Sequence, residues 1–537
     1  MLEFVPRPTC KHCGKSMKIE SRTHPRHLVG TRENYDLVMT YYRCGQFGCV
    51  GEQEPTIHPE NPHAPPRSDY DYDVIAEIVE MRWKRGLSYD KIVEAMKKEH
   101  GVIINHSAIE NFLKIYEIGC AGKYKPEYVD EIRRFGGIIL TLDAMKPLNG
   151  ERALYVARDH RTRLVLGSRL LSNQKQETIE DFLRAVQDRV KNELNVPMLG
   201  IVSDALVSQR LAIESIFPDV PHCLCHYHFY NLVLLSSKKG DSHLVTRIRK
   251  ELRGSHDVRK FKEAKDSKST YFTTNPLLVS MMKALLALSN WSRKPRDPCF
   301  TGLELWKRVN DIASLVKDTS KLVGKGTFSL VEEKLIHRVN DVLESIIDEN
   351  KELATDLLNV RDVLSTLQAI LSNDEVGAEQ GLEILVKFSK DASKRKRLKG
   401  TGQLEKEFID ALNKFVSTKG EQLFNYKKID GAPRTNNSHE LFYKQLKHLL
   451  RKVIGFSAAS SFLIGHGERI VYVKPGDPFE IIKGILMETD FNKARTIIAS
   501  ERKSRDGLSL IMHDDNKWGR NMDELRRLLH ELEERGK

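Results

Sequence analysis

Nowhere in its 537 residues does the chain hold an apolar run long enough to cross a bilayer, and its first residues lack the pattern of a secretion signal. Both absences predict a soluble, intracellular protein with no membrane partner. Cysteine is scarce, at 8 residues, which in a chain of this length argues against a disulfide scaffold. Acid is in deficit: 74 Asp and Glu face 86 Lys and Arg, leaving a formal charge of +12 and a pI near 9.1. A basic surplus spread along the chain favours a polyanionic partner such as DNA. Apolar residues make up 40%, enough for real cores and too much for a disordered chain. The length suggests two to four domains.

Four of the cysteines cluster in residues 1–58, as Cys10-Lys11-His12-Cys13 and Cys44-Gly45-Gln46-Phe47-Gly48-Cys49. Two close pairs around a hairpin-length segment have the spacing of a zinc ribbon, in which four thiolates close a tetrahedron on one structural Zn²⁺. So short a segment has little core, and the metal would supply much of its folding energy. A redox Cys-x-x-Cys would need a thioredoxin-like βαβ unit around it. Cys120 and Cys299 stand alone and read as plain buried thiols. Residues 59–68 read as a linker, with Ser68 or Asp69 capping the next helix. Residues 69–118 predict three helices, at about 71–85, 89–99 and 107–117, in a helix-turn-helix pattern. The exposed face of the third would offer Ser107, Glu110, Asn111 and Lys114 to phosphates or base edges. A helical bundle used only for packing is the plainer alternative. Residues 119–135 read as a connector with a basic helix containing Lys123, Lys125, Arg133 and Arg134.

Residues 136–235 carry the strongest pattern. Gly-Gly-Ile-Ile-Leu-Thr-Leu-Asp-Ala-Met ends a strand-like run at Asp143, and Met-Leu-Gly-Ile-Val-Ser-Asp-Ala-Leu ends another at Asp204. A charge at the end of a buried strand is costly unless something pairs with it, so two such ends side by side would make a cation site. Between them lie two more strands, 153–158 and 163–171, and a helix over 176–193 marked by Ile179, Phe182, Leu183, Val186 and Val190. A helix at about 208–216 and a strand around 221–227 follow. This order predicts a mixed sheet with a helix on its face. Asp159, in the turn between two strands, is a rival acid best explained by the turn. Just after Asp204 comes Cys223-Leu224-Cys225-His226-Tyr227-His228, with Cys-x-x-His spacing in both Cys223/His226 and Cys225/His228. These four could themselves bind zinc but read as structural or substrate-positioning, and in a regular strand such a pair would need a bend.

Acids closing the first and fourth strands, a Cys-x-x-His, and the later Arg434-Thr435-Asn436-Asn437-Ser438-His439-Glu440 in that order resemble the DDE transposases of the Mutator-like and related bacterial and archaeal groups. The resemblance covers roughly 136–235 and 430–475. It implies a multidomain α+β protein: an RNase H-like mixed α/β core, interrupted by an all-helical insertion at 236–430, resuming at 431–475, and preceded by the zinc ribbon and the helix-turn-helix. It implies Glu440 as the third acid and Cys225/His228 as the family's Cys-x-x-His. Helix 438–453 would carry Lys444, Lys447, Arg451 and Lys452 toward DNA. A carboxylate early in a helix also suits the helix dipole, the plainer account of Glu440. Residues 476–537 form a basic tail ending in an amphipathic helix (Met522, Leu525, Leu528, Leu529, Leu532) that packs on the body or on a second copy. The basic run 390–400 reads as a solvated loop or a phosphate contact.

Three carboxylates suit divalent cations and phosphodiester chemistry. Asp143, Asp204 and Glu440 would hold two Mg²⁺ (or Mn²⁺) ions, for hydrolysis that frees a DNA 3′-hydroxyl and transesterification that joins it to target DNA. The expected partner is double-stranded DNA, both element ends and target, bound by a homo-oligomer in a prokaryotic cytoplasm, associated with the nucleoid. The rivals are a non-catalytic DNA-binding regulator, which has no need of the acids, and an RNase H-type nuclease, which has no need of the N-terminal domains.

Overall fold

The computed structural model describes residues 7–54, 63–122, 126–145, 153–204, 206–266, 273–292, 300–398, 400–454 and 467–509. Cys299, Lys123, Lys125 and the amphipathic segment 522–532 lie outside the described residues.

The N-terminal segment is built of β1 (Lys18–Arg22), β2 (Arg26–Leu28), β3 (Tyr35–Leu37) and β4 (Thr40–Arg43), pairing β1 with β4 and β2 with β3 in antiparallel ladders. Three helices follow: α1 (Tyr72–Trp83), α2 (Tyr89–His100) and α3 (His106–Gly122). Neither Ser68 nor Asp69 caps α1. Asp71 does, its carboxylate accepting the Val74 N–H at 2.8 Å. Ser88 caps α2, and Gly101 closes it in the left-handed region at φ 67°. Residues 63–68, expected as linker, are partly packed: Ala64 and Ser68 are buried, and Pro66 O accepts from Arg495 at 2.7 Å.

After α4 (Pro126–Arg134) comes the central sheet, made by β5 (Ile138–Met145), β6 (Ala153–Asp159), β7 (Val165–Leu171), β8 (Met198–Ser203) and β9 (His222–Leu224). Its order is β7-β6-β5-β8-β9. β6 runs antiparallel to both neighbours, while β5, β8 and β9 are parallel. The parallel step from β7 to β8 is made through α5 (Gln176–Arg189), which ends in a π turn (Val190–Leu194). α6 (Val207–Ile216) joins β8 to β9. Because side chains alternate along a strand, Ile138, Leu140 and Leu142 pack against α5 and α6 with Phe182, Leu183 and Ile213. Ile139 and Val202 face the other way, toward Tyr426 and Ile429. A Cβ on Gly200 would collide with the Ile429 Cδ1, so a larger residue there would make that side chain shift.

The predicted strand at 221–227 stops at Leu224. Cys225 is already the N-cap of α7 (His226–Val233). The bend that a Cys-x-x-His pair needs is thus the start of a helix. Then come α8 (Leu235–Gly254), α9 (His256–Asp266), α10 (Pro276–Ser289), α11 (Thr301–Ser320), α12 (Leu330–Ser372), α13 (Ala378–Arg395) and α14 (Gln403–Lys419). No strand occurs among their described residues, and they share one apolar core. The 43-residue α12 is its spine, opened by a Ser329/Glu332 capping box and buried along Leu335, Val339, Leu343, Ile346, Leu357 and Leu364. Two short 3₁₀ turns lead back to the sheet, where Asn425 Nδ2 donates to His222 O at 2.9 Å.

α15 (Asn437–Ile454), a 3₁₀ turn (Gly467–Tyr472), α16 (Phe479–Glu488) and α17 (Phe491–Ser509) complete the described chain. The segment expected as a tail packs on the N-terminal helices: Val74, Ile78 and Leu113 share a core with Leu446, Leu450, Ile482 and Leu486. Lys483 pairs with Asp73 at 2.7 Å, and the Phe491 ring meets Tyr72 edge-on. This cover explains why α3 runs on to Gly122, past its predicted end. It accompanies the burial of Lys114, which was expected to face DNA. Lys114 is 5% exposed and ion-paired with Glu110.

Truncating Leu357 to Ala in the middle of α12 should lower stability by roughly 2–5 kcal/mol, as for other buried leucines. The check is a lower midpoint for the insertion's unfolding in thermal or urea melts.

Candidate active site

β5 and β8 are adjacent and parallel, so their carboxyl ends open at one edge of the sheet. Asp143 lies near the end of β5, on the face that Ile139 and Thr141 share. Asp204 is the first residue past β8, continuing the face of Val202. One ligand atom each from Asp143, Asp204 and His228 lie within 4.8 Å of one another. Asp143 is 8% exposed, and its Oδ1 accepts the Ala144 N–H at 2.8 Å. The Asp204 Oδ1 accepts from Leu206 N–H at 3.1 Å. Burial pushes the Asp143 carboxyl up to about 7, and the charges of Asp204 and Glu440 push the same way. Burial also raises Asp204, against the Leu206 N–H that its carboxylate accepts and the nearby Lys419 ammonium. Desolvated carboxylates at this spacing with a ring nitrogen fit a divalent cation chemically.

α15 and Asn436, the residue just before it, are stitched to β5. Asn436 Nδ2 donates to Leu142 O at 3.1 Å, His439 Nε2 meets Thr141 O at 3.0 Å, and the Tyr443 hydroxyl donates to Asp143 O at 2.7 Å. Burial drops His439 to about 3, so the ring is neutral and its Nε2 carries the donated proton. Arg158, 7% exposed, reaches across from β6 to Ser438 O at 3.3 Å and stacks on the Phe442 ring. These contacts set the start of α15 against the end of β5. Glu440 lies there, exposed, near enough for its charge to act on Asp143. The compact group at these strand ends contains His228 and not Glu440. Lys444, Lys447 and Arg451 are exposed and continue the side of α15 that Glu440 begins.

The Cys-x-x-His cluster divides. Cys223 is core, between Ile139, Val202 and Tyr426, and burial pushes its thiol up to about 12. His226 is buried and its Nε2 meets Leu423 O at 2.8 Å. The Cys225 thiol accepts the Asn436 N–H at 3.2 Å, tying the start of α7 to the turn before α15. His228, one helical turn on, belongs with the acids. Asp159, expected in the turn, is the last residue of β6 and fastens the turn that follows: it takes the Thr162 N–H and hydroxyl, each at 2.7 Å.

Asn436, His439, Tyr443, Arg158 and Lys419 were given no role by the sequence. The 436, 439, 443 spacing does mark one helix face, and that was the readable signal. The expected DNA-facing residues of α3 split as well: Ser107 is exposed and Asn111 half-buried, while Lys114 is withdrawn. At the N-terminus, Cys10, Cys13, Cys44 and Cys49 converge. Their Sγ separations are 3.8 Å for Cys10–Cys49 and 3.6 Å for Cys13–Cys44. Four thiolates about 2.3 Å from a tetrahedral Zn²⁺ stand about 3.8 Å apart, so the set fits that ion. The N–H groups of His12 and then Cys13 bring the Cys10 thiol down to about 6, while Cys44, against the Gln46 N–H, is pushed up to about 12 by burial and the Cys13 and Cys10 thiols.

Two outcomes are expected. Replacing Cys13 with Ser should lower bound zinc from one per chain toward none and unfold the N-terminal segment, checked by elemental analysis and proteolysis. The second concerns pH in chelator. An unfolded Asp titrates near 3.8 and folded Asp143 at about 7, so the fold favours the protonated form. That stability is complete below pH about 4 and is lost as pH rises through about 7. Asp143→Asn should therefore melt higher than the parent at pH 8 in chelator, and a divalent cation should stabilise only the parent.

Comparison with known proteins gives one family match and no curated relative. No curated protein matches the chain. Residues 152–232, from the start of β6 to the end of α7 and including Asp204 and Cys225/His228, match the MULE transposase domain, which supports a transposase role and, with it, DNA as a partner.

Proposed function

We propose that this chain is a DDE-type DNA transposase built on an RNase H-like core, with Asp143, Asp204 and Glu440 as the acids that hold Mg²⁺ or Mn²⁺. The observation that carries the reading is the buried Asp143 and half-buried Asp204 carboxylates brought together at neighbouring strand ends, with the acid-bearing first turn of α15 beside them. The sheet order β7-β6-β5-β8-β9, with β6 alone reversed, is the arrangement expected of that core. The match to the transposase domain over 152–232 supports the same reading from sequence.

A pair of bound divalent cations would polarise the scissile phosphate and favour an ionised attacking oxygen. The chain's own residues do the rest. Asp143 and Asp204 present carboxylate oxygens from rigid strand ends, and Glu440 presents a third from a helix that Asn436, His439, Tyr443 and Arg158 hold in register. Lys444, Lys447 and Arg451 run from the acids along exposed α15 and suit a phosphate backbone leading into the site. Water would first free a 3′-hydroxyl at the element end, and that hydroxyl would then attack target DNA. The zinc ribbon and α1–α3, with Ser107 and Asn111, are read as the part that recognises the ends, in a homo-oligomer assembled on DNA.

The test uses duplexes carrying the inverted repeats that flank the gene. The parent should nick at the repeat boundary and join a pre-cleaved end to plasmid DNA. Asp143→Ala, Asp204→Ala and Glu440→Ala should each lose about 10²- to 10³-fold in cleavage, the scale on which an essential electrostatic group acts, while retaining DNA binding in a mobility shift. Cleavage retained in all three variants would remove the assignment. Cutting of an RNA–DNA hybrid without joining would favour the RNase H-type nuclease.

A further inference from the structure

We propose that His228 is a direct ligand of the cation held between Asp143 and Asp204, making that site an Asp-Asp-His set that prefers Mn²⁺ to Mg²⁺ and is complete without Glu440. The inference rests on the reading of the two aspartates as a cation site and goes beyond it by adding a nitrogen donor to the first ion and assigning Glu440 to the second, which enters with substrate.

Three observations carry it. The ligand atoms of Asp143, Asp204 and His228 lie within 4.8 Å of one another. Opposite ligands of an Mg²⁺-sized ion stand about 4.2 Å apart, so small side-chain rotations close the set. Second, His228 Nδ1 is shielded from solvent and has no hydrogen-bond partner. A buried ring nitrogen with an unused lone pair costs free energy unless a donor or a metal meets it. The other motif histidine behaves differently, since His226 spends its Nε2 on Leu423 O at 2.8 Å. Third, the backbone aims the ring. Cys225 is the N-cap of α7 and is tied through its thiol to Asn436 N–H at 3.2 Å. Residue 228 is three further on, hence on the same side of the helix, toward the strand ends. The Cys-x-x-His spacing therefore has a division of labour: the cysteine joins two stretches of chain that are distant in sequence, and the histidine meets the metal.

The choice of cation follows from the donor atoms. Mg²⁺ prefers oxygen throughout and keeps its waters, whereas an imidazole suits later first-row ions, and Mn²⁺ accepts both. Glu440, exposed on the first turn of α15, is left free to join only when substrate and a second ion arrive.

The test is Mn²⁺ binding to the full-length, zinc-loaded chain without DNA, read by the electron paramagnetic resonance signal of free Mn²⁺. The parent should bind one Mn²⁺ tightly. His228→Ala and the size-conserving His228→Gln should weaken it by at least about 10-fold, the scale seen even for outer-shell changes at metal sites. Glu440→Gln should leave the affinity within about twofold, and pulsed spectra of the parent should show nitrogen coupling that both His228 variants lose. Zinc content and circular dichroism unchanged from the parent mark the variants as folded. Parent-like Mn²⁺ affinity in folded His228 variants, or a filled parent site without nitrogen coupling, would overturn the role of His228 and leave the aspartates standing. A loss in Glu440→Gln as large as in His228→Gln would overturn the separation of Glu440 from this site. A parent that binds no Mn²⁺ would overturn the cation reading of Asp143 and Asp204 as well.

Discussion

Two desolvated carboxylates at the ends of neighbouring parallel strands are the constraint that organises this molecule. Asp143 is 8% exposed, and burial with nearby negative charge drives its carboxyl to about 7. A fold that selects only for stability has no reason to keep such a pair. The surrounding structure holds it in place at some cost, and strain of this kind concentrates where chemistry is done. A cation entering between them would relieve that cost.

Around that pair the chain is arranged in concentric supports. The inner support is the sheet, whose alternation puts Asp143 and Asp204 on one face and the packing residues Leu140, Leu142 and Ile201 on the other. The next is α15, fastened to the carbonyls of residues 141–143 by His439, Tyr443 and, just before the helix, Asn436. The third joins stretches remote in sequence: Cys225 to Asn436, Asn425 to His222, and the insertion's last helix bringing Lys419 within electrostatic reach of Asp204. The helical insertion is therefore more than an appendage, because its return path forms one wall of the site.

The N-terminal helices show how tertiary context rewrites a local reading. As isolated sequence they read as a small helix-turn-helix with Lys114 on its open face. In the folded chain their core is shared with α15, α16 and α17, and Lys114 is buried against Glu110. Helical spacing told which residues would be inside a three-helix unit. It carried no information about a second layer supplied by residues 479–509.

Local patterns in the chain were enough for the strands ending in Asp143 and Asp204, the order strand-strand-strand-helix-strand, the helical character of 236–430 and the two cysteine pairs, because each is written in periodicity or spacing over a few neighbouring residues. Contacts between distant segments decided the rest. Where β9 ends and α7 begins, and which histidine meets the acids, depend on how separate strand and helix ends come together. How Asn436, His439 and Tyr443 register α15 on β5 and how Cys225 is tied to the turn before α15 depend on residues about 200 to 300 positions apart. Backbone periodicity encodes which side of an element is apolar; it cannot encode which partner covers that side, since that is settled only when desolvation and hydrogen bonding are satisfied over the whole fold.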